Sequence, residues 1–439
     1  MTPGILARSG VRREMILHEA QIRPRALAQS DLPDRYTATR ERSGAVAAPL
    51  SDSDATLQSM EDASPAKWHL AHTTWFFETF VLRDRLPGYR LYSPDWPFLF
   101  NSYYEAEGAR LPRGQRGMLS RPTLEQILGW RAHVDEAIGP LLKDPSVAPL
   151  LELGIAHEEQ HQELLLTDIK HAFAQNPLGP AMFAGVPQPG RKQRESWFAH
   201  PGGIARVGHQ SPGFAFDNEG PAHRALLEPF ELSRRLVTNG EWRQFVAEGG
   251  YETAALWLSD GWAWVRQGNV RAPLYWRDGR DGPEEFTHQG WHPLDPDRPV
   301  THISYYEADA YAAWAGARLP TEFEWEAIAR GQDSPGFEAR AGNQLELLEG
   351  SIVPPVPLGS DELFGDCWQF TRSSYLPYPR FRPAEGAVGE YNGKFMSGQV
   401  VLRGASCATP CGHSRPSYRN FFYPHQRWQF TGLRLARDV

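Results

Sequence analysis

The chain changes character at Pro177. Before it, residues run in long stretches with apolar positions at helical spacing. After it, Gly, Pro, Trp and short β-like stretches alternate without a long period. At 439 residues the chain is long for a single domain, and roughly 150 residues per domain point to two or three units. The sequence therefore predicts an α+β protein whose helical part comes first. No tandem repeat is visible.

Local signals place the helices. An early one lies within Asp31 to Arg42. Ser64-Pro65 reads as an N-cap followed by proline at the first helical position, opening a run from Ala66 to about Arg85 with no breaker until Pro87. Thr123 and Gln126 form a capping box ahead of Leu124 to about Ile138, with Gly139-Pro140 at the stop. Another helix runs from about Val147 to Ala174 and stops at Asn176-Pro177. Four helices with mixed loops predict a bundle, where metal sites form from inward-facing side chains. Pro177 to Gln193 is rich in Pro and Gly and reads as a linker. Beyond it two helices stand out, Tyr305 to Ala315 behind the capping box Ser304/Glu307 and Glu322 to Arg330 behind Thr321/Glu324, with Gly316 and Gly331 as stops. The expected division is an N-terminal extension over 1–30, a bundle over 31–180, a linker over 181–195 and a second domain over 196–439.

Composition removes several classes. A formal net charge of -8 argues against a general nucleic-acid binder, which needs a basic surface to displace counterions. No apolar run approaches the ~20 residues of a membrane span. Met1 to Met15 carries Arg8, Arg12 and Arg13 but no apolar core, so a secretory signal is not expected. Cys367, Cys407 and Cys411 are too few for a disulfide framework, which makes a reducing cytoplasm the default. The 15 Trp and 15 Tyr favour a pocketed enzyme over a plain scaffold.

The strongest chemical signal is His157-Glu158-Glu159-Gln160-His161-Gln162-Glu163. On a helix, residues 157 and 161 lie about 40° apart and ~6 Å along the axis, so both imidazoles reach one ion. The run also matches H-E-x-x-H, the zinc-peptidase pattern with Glu158 as general base, but Leu164 and Thr167 stand where the metzincin extension needs Gly and His. Glu163 would complete two histidines and a carboxylate, yet it lies about 200° round the helix from His161 and faces away. A third ligand must come from another helix, where His69 and His72 are both candidates. Gln160, about 60° from His157, is better placed to hydrogen-bond a substrate beside the metal than to bind it.

At this point the residues resemble a known family, the ergothioneine-biosynthesis sulfoxide synthases (EgtB). Trp68-His69-Leu70-Ala71-His72 and the H-x-x-x-H-x-E run are similar to its iron motif, within a DinB-like four-helix bundle. The second half resembles the formylglycine-generating-enzyme/sulfatase-modifying domain, a variant of the C-type lectin fold. The matching stretches are Arg298-Pro299-Val300, Gly316-Ala317-Arg318-Leu319-Pro320-Thr321-Glu322, Gly365-Asp366-Cys367-Trp368-Gln369-Phe370-Thr371, Leu402-Arg403-Gly404 and Gly432-Leu433-Arg434. The likeness extends from about Arg35 to the C-terminus.

The resemblance implies one ferrous ion held by His72, His157 and His161, with His69 packing or supporting. It implies a reaction in which O₂ oxidises a thiol sulfur to a sulfoxide as that sulfur bonds to the imidazole of hercynine, the trimethylated betaine of histidine. Tyr103 and Tyr104 look like the active-site tyrosines of one branch, which supply a proton and steer the product away from a sulfinate. Arg113 and Arg116 could clamp a carboxylate. Asn420-Phe421-Phe422 resembles the hercynine-facing loop, where aromatic faces suit a quaternary ammonium, and Gln160 would hold the imidazole. The branch using γ-glutamylcysteine keeps an acidic residue at the position of Phe422, so cysteine is the expected thiol. Competing readings are a formylglycine-generating oxidase acting on protein cysteine, a lectin-like binding protein, and a sister synthase using γ-glutamylcysteine, histidine or a selenium donor.

Overall fold

The computed structural model describes residues 31–210, 212–331, 342–383 and 392–439; the expected extension over 1–30 lies outside the described residues. The Asp31 carboxylate caps α1 (Leu32–Ala47), which runs on past Arg42. Ser43, just beyond Arg42, is buried and donates to Glu158 across the bundle, so its polarity is core polarity. After the short α2 (Asp52–Thr56) comes α3 (Ala66–Phe76), which widens into a π-helical turn over Phe77–Arg83. Pro65, not Ser64, is its N-cap residue. The Ser64 hydroxyl instead accepts from Arg116 at 2.9 Å, so the expected side-chain cap is not made.

The short α4 (Trp96–Phe100) precedes α5 (Leu124–Ile138), which opens on the Thr123/Gln126 capping box with both reciprocal bonds present. The longest helix among the described residues is α6 (Ala148–Gln175). It packs against α1 and α3. Gly154 makes the approach to α3 possible: a Cβ there would sit 2.5 Å from the Phe77 ring and 2.9 Å from that of Phe76. That contact lies one turn before His157.

Among its described residues the second half carries short strands and four further α-helices: α7 (Asn239–Ala247), α8 (Ser259–Gly268), α9 (Tyr305–Trp314) and α10 (Glu322–Gly331). The capping boxes of α9 and α10 are formed as read from sequence. That of α7, Thr238/Glu241, is formed too, although the sequence reading passed over it. Phe230–Ser233 lies between Trp197–His200 and Ala436–Asp438 in one antiparallel sheet, which brings the beginning and end of this half together. A second sheet is ordered Asn420–Phe422, Val400–Gly404, Trp368–Ser374, Thr431–Gly432, the last pair parallel.

The Pro- and Gly-rich stretch after Asn176 forms neither helix nor strand as far as Ser196. It is fastened to the second half, its Met182 amide donating to the His288 carbonyl (2.8 Å) and its Arg191 amide to that of Leu358 (2.6 Å). One apolar core runs through both halves, with a smaller one around Trp325, Phe230 and Leu232. Among the described residues no helix is long and apolar enough to cross a membrane.

Candidate metal centre and its cavity

His157 and His161 share the inner face of α6, and His72 meets them from α3. One ring nitrogen from each lies within 4.8 Å of the others. The His72 Nδ1 donates to the Phe100 carbonyl at 2.6 Å, which leaves its Nε2 as the lone-pair nitrogen. Its ring is sandwiched between Trp68 (4.6 Å, 15°) and Trp75 (5.5 Å, 12°), one turn to either side on α3. Behind His161 stands His69, whose Nδ1 is 2.9 Å from the His161 Nδ1 and whose Nε2 is 3.1 Å from Asp168. Burial pushes all three converging imidazoles down, His157 to about 4 and the other two well below the usual range. They are neutral near pH 7, the state in which imidazole offers a lone pair to a cation.

Glu158, within the H-E-x-x-H run, and Glu163, just beyond it, are engaged by other partners. Glu158 is buried and accepts from Arg40 (2.8 Å), Arg131 (2.7 Å) and Ser43. Burial pushes its carboxyl up, but Arg131 and Arg40 outweigh that and hold it down to about 2. A carboxylate locked between two arginines is no general base, which removes the basis of the peptidase reading. Glu163 accepts from the Trp368 indole (2.7 Å), Ser406 and Thr409 (2.8 Å), all in the second half. Burial pushes its carboxyl up against the pull of those donors. The rotation that sets Glu163 away from His161 on a helix is the rotation observed.

A cavity of about 410 Å³ opens beside the three histidines, between the two halves. That volume suits a small-molecule site. Gln160 lines it and donates from Nε2 to the Tyr418 hydroxyl at 2.7 Å. Tyr418 stacks on Trp368 and contacts His413, which in turn pairs with Glu159 at 2.9 Å. Tyr103 and Tyr104 both reach the cavity. The Tyr103 hydroxyl accepts from Arg113 at 3.3 Å, while the Tyr104 ring is caged by Trp75 (5.3 Å) and Phe80 (5.2 Å).

Arg113 and Arg116 sit on a 3₁₀ turn, Arg113–Met118, and both line the cavity. Arg116 lies 3.4 Å over the Trp68 ring and donates to Ser64 and Ser102, with no carboxylate in ion-pair contact among the described residues. Burial beside Arg113 pushes its guanidinium down to about 9, still cationic at neutral pH. The opposite wall carries Asn420, Phe421 and Phe422 on the outermost strand of the second sheet. Phe421 stacks on Tyr375 at 4.1 Å.

Sequence reasoning missed several lining side chains. Asn218, Gln399 and Gln429 each keep a buried carboxamide oxygen without a hydrogen-bond partner, and Tyr418 orients Gln160. These come from loops and strand ends with no fixed spacing to mark them. Asp168 was legible: it lies seven residues after His161, about 20° round the helix, on the same stripe.

Comparison with known proteins agrees with this architecture. Residues 35–165 match the DinB superfamily, and residues 183–439 match the sulfatase-modifying factor enzyme 1-like domain. The helical first domain and sheet-containing second domain are thus a DinB domain followed by a sulfatase-modifying-factor domain, a mixed α+β protein. A hercynine oxygenase of Mycolicibacterium thermoresistibile is 34% identical, over 88% of this chain and 90% of that protein. One of Mycobacterium tuberculosis is 31% identical, over 86% of this chain and 91% of its own length. A formylglycine-generating enzyme of Bos taurus is 29% identical, over 71% of this chain and 91% of that protein. The bovine protein answers to less of this chain than the two bacterial proteins do, and with both domain matches in place the chain belongs to the hercynine oxygenase family.

Proposed function

We propose that the chain is an O₂-dependent, non-haem iron(II) sulfoxide synthase of ergothioneine biosynthesis that joins hercynine to a thiol, L-cysteine, as hercynylcysteine sulfoxide. The observation that carries this reading is the convergence of three neutral imidazoles, from two helices, on a small-molecule cavity. The balance is simple. The imidazole C–H and the thiol S–H each lose hydrogen, a C–S bond forms, one oxygen of O₂ ends on sulfur and the other leaves as water.

The donor set fits Fe(2+). Imidazole suits iron among other divalent metals, and three donors leave positions for substrates. His72, His157 and His161 would hold the ion. When bound, iron supplies the electrons that activate O₂ and favours the thiolate form of the sulfur substrate. Everything else falls to side chains. Gln160, fixed by Tyr418, holds the hercynine imidazole, and Phe421 and Phe422 face the trimethylammonium. Arg113 and Arg116 receive substrate carboxylates, and each has a buried Nε without a partner in the protein. Holding both substrates in one cavity replaces encounter entropy with position. Tyr103 and Tyr104 supply the proton that favours coupling over simple thiol oxidation. Phe422 offers no charge to a glutamyl amine, which supports cysteine over γ-glutamylcysteine. Cys367 and Cys407 are unbridged and buried, as a cytoplasmic setting allows.

The formylglycine-generating reading requires a reactive cysteine. Among the described residues no cysteine lines the cavity, and burial pushes the Cys367 and Cys407 thiols up. The deciding experiment is aerobic incubation of iron-loaded protein with hercynine plus cysteine or γ-glutamylcysteine, read by mass spectrometry. A hercynyl sulfoxide conjugate is expected with cysteine. Formation of neither conjugate sinks the proposal, and preference for γ-glutamylcysteine or for a selenium donor overturns only the donor assignment.

A further inference from the structure

Asp168 joins three parts of the molecule that are distant in sequence. Its Oδ2 accepts from the Ser64 amide (2.8 Å), just ahead of α3, and contacts the His69 Nε2 (3.1 Å) on α3. Its Oδ1 accepts from the Trp428 indole (3.0 Å), a cavity-lining residue of the second half. Carboxylate, His69 and Trp428 are all buried. The chemistry of these groups fixes the proton positions. Backbone amide and indole N–H can only donate, so the carboxylate is the acceptor throughout. His69 therefore carries its hydrogen on Nε2. A neutral ring with hydrogen on Nε2 has its lone pair on Nδ1, and that nitrogen lies 2.9 Å from the Nδ1 of His161. His161 must then be the donor in this contact, which leaves its Nε2 as the lone-pair nitrogen.

We infer that Asp168 and His69 form a hydrogen-bonded relay that fixes the tautomer and ring orientation of His161 for metal binding. This rests on the reading of His72, His157 and His161 as the ligand set. His69 and Asp168 are positioning residues that act through His161. The relay is one imidazole longer than the usual carboxylate–histidine arrangement behind a metal ligand. Its acidic end is held by Trp428, so the orientation of a ligand on the helical wall depends on the docking of the opposite wall. Among the described residues, His72 is oriented by the Phe100 carbonyl and its tryptophan sandwich, without a comparable link to the second domain.

The test uses the full-length protein and two readouts: Fe(II) affinity measured anaerobically against a competing chelator, and the visible absorption of the Co(II)-substituted protein. His69→Phe keeps a ring but breaks the relay, and should weaken Fe(II) binding by about 10- to 100-fold while altering the Co(II) spectrum. His69→Gln can accept from His161 at Oε1 and donate to Asp168 from Nε2. It should restore most of the affinity and the wild-type spectrum, which a purely packing role for His69 does not predict. Asp168→Asn should weaken binding in the same direction by less, and serves if His69→Phe does not fold. Wild-type affinity and spectrum in folded His69→Phe or Asp168→Asn overturn the relay, as does a folded His69→Gln no better than His69→Phe. The underlying ligand assignment fails separately: the wild type would then bind no stoichiometric metal, or His72→Ala would bind as tightly as the wild type.

Discussion

The helical wall of the cavity and the wall facing it are built by different rules. His72, His157, His161 and Gln160 stand on two long helices, and their relative positions follow from helical spacing and from one close approach at Gly154. Asn218, Gln399, Tyr418, Phe421 and Gln429 come from a 3₁₀ turn, loops and a short edge strand, brought together only by the folding of the second half. Rigid periodic elements hold the donors, which must keep their geometry to within fractions of an ångström. Irregular segments form the facing wall, which can vary without disturbing them. Glu158 and Glu163, two of the three carboxylates in this segment, show the same division. Glu158 faces the bundle and is fixed by arginines, whereas Glu163 faces the second half and is held by an indole and two hydroxyls.

That contrast predicts all-or-none effects on one wall and graded shifts on the other. The largest effect is expected for His157→Ala, which should abolish stoichiometric iron binding measured by metal analysis of the purified protein. Retention of a full equivalent would mean the helical wall does not hold the metal.

Next comes Glu158→Gln. It leaves Arg40 and Arg131 buried with their shared partner gone, and should cost about 3–5 kcal/mol in denaturant unfolding. The same carboxyl gives a pH signature. Its folded value lies near 2, below the ordinary 4.5, so the unfolded chain binds more protons between those values. The stability it contributes is complete above pH 4.5 and drains away as pH falls toward 2. Glu158→Gln should remove that part of the acid-denaturation curve, and an unchanged curve would locate the acid sensitivity elsewhere.

Third, replacing Tyr103 and Tyr104 together by Phe should shift the product ratio toward cysteine sulfinate by about 10²-fold, the lower range for a lost proton donor. An unchanged ratio by mass spectrometry would reduce both residues to packing. The smallest effect belongs to the opposite wall. Phe422→Asp should raise kcat/KM for γ-glutamylcysteine relative to cysteine by about 10-fold, the scale of one charge-assisted hydrogen bond, with iron content unchanged. Loss of iron in that variant would show that the two walls are not separable.

Much of the helical half was legible because its signals are local. The Thr123/Gln126 box placed α5 to the residue, and helical spacing put His157 and His161 on one face and turned Glu163 away; the choice of His72 over His69 as their partner came only from the family resemblance. The misreadings are also local. Ser64 looks like a cap, but Arg116 and Asp168 claim its hydroxyl and amide. α1 looks finished at Arg42, but its polar residues serve a buried ion network. The polar positions of α6 could not be read from periodicity. The helix is buried on several sides, so Glu159, Glu163, Asp168 and Lys170 do not mark a solvent stripe; they mark contacts with the second half. The recognition wall has no period at all, and the cross-chain pairing of Gln160 with Tyr418 leaves no trace in either local sequence.

That shared helix also limits how the protein can be re-engineered. Along α6, successive side chains are spoken for by His413, Tyr418, Trp368, Trp428 and His302, all in the second half. A chimera spliced at Pro177 would inherit a helix whose polar side chains meet unmatched surfaces, and an isolated helical fragment would expose a lysine and carboxylates where the native protein keeps them dry. The two domains are consecutive in the gene but not interchangeable cassettes. Any grafted recognition domain has to arrive with its complements to α6 already in register.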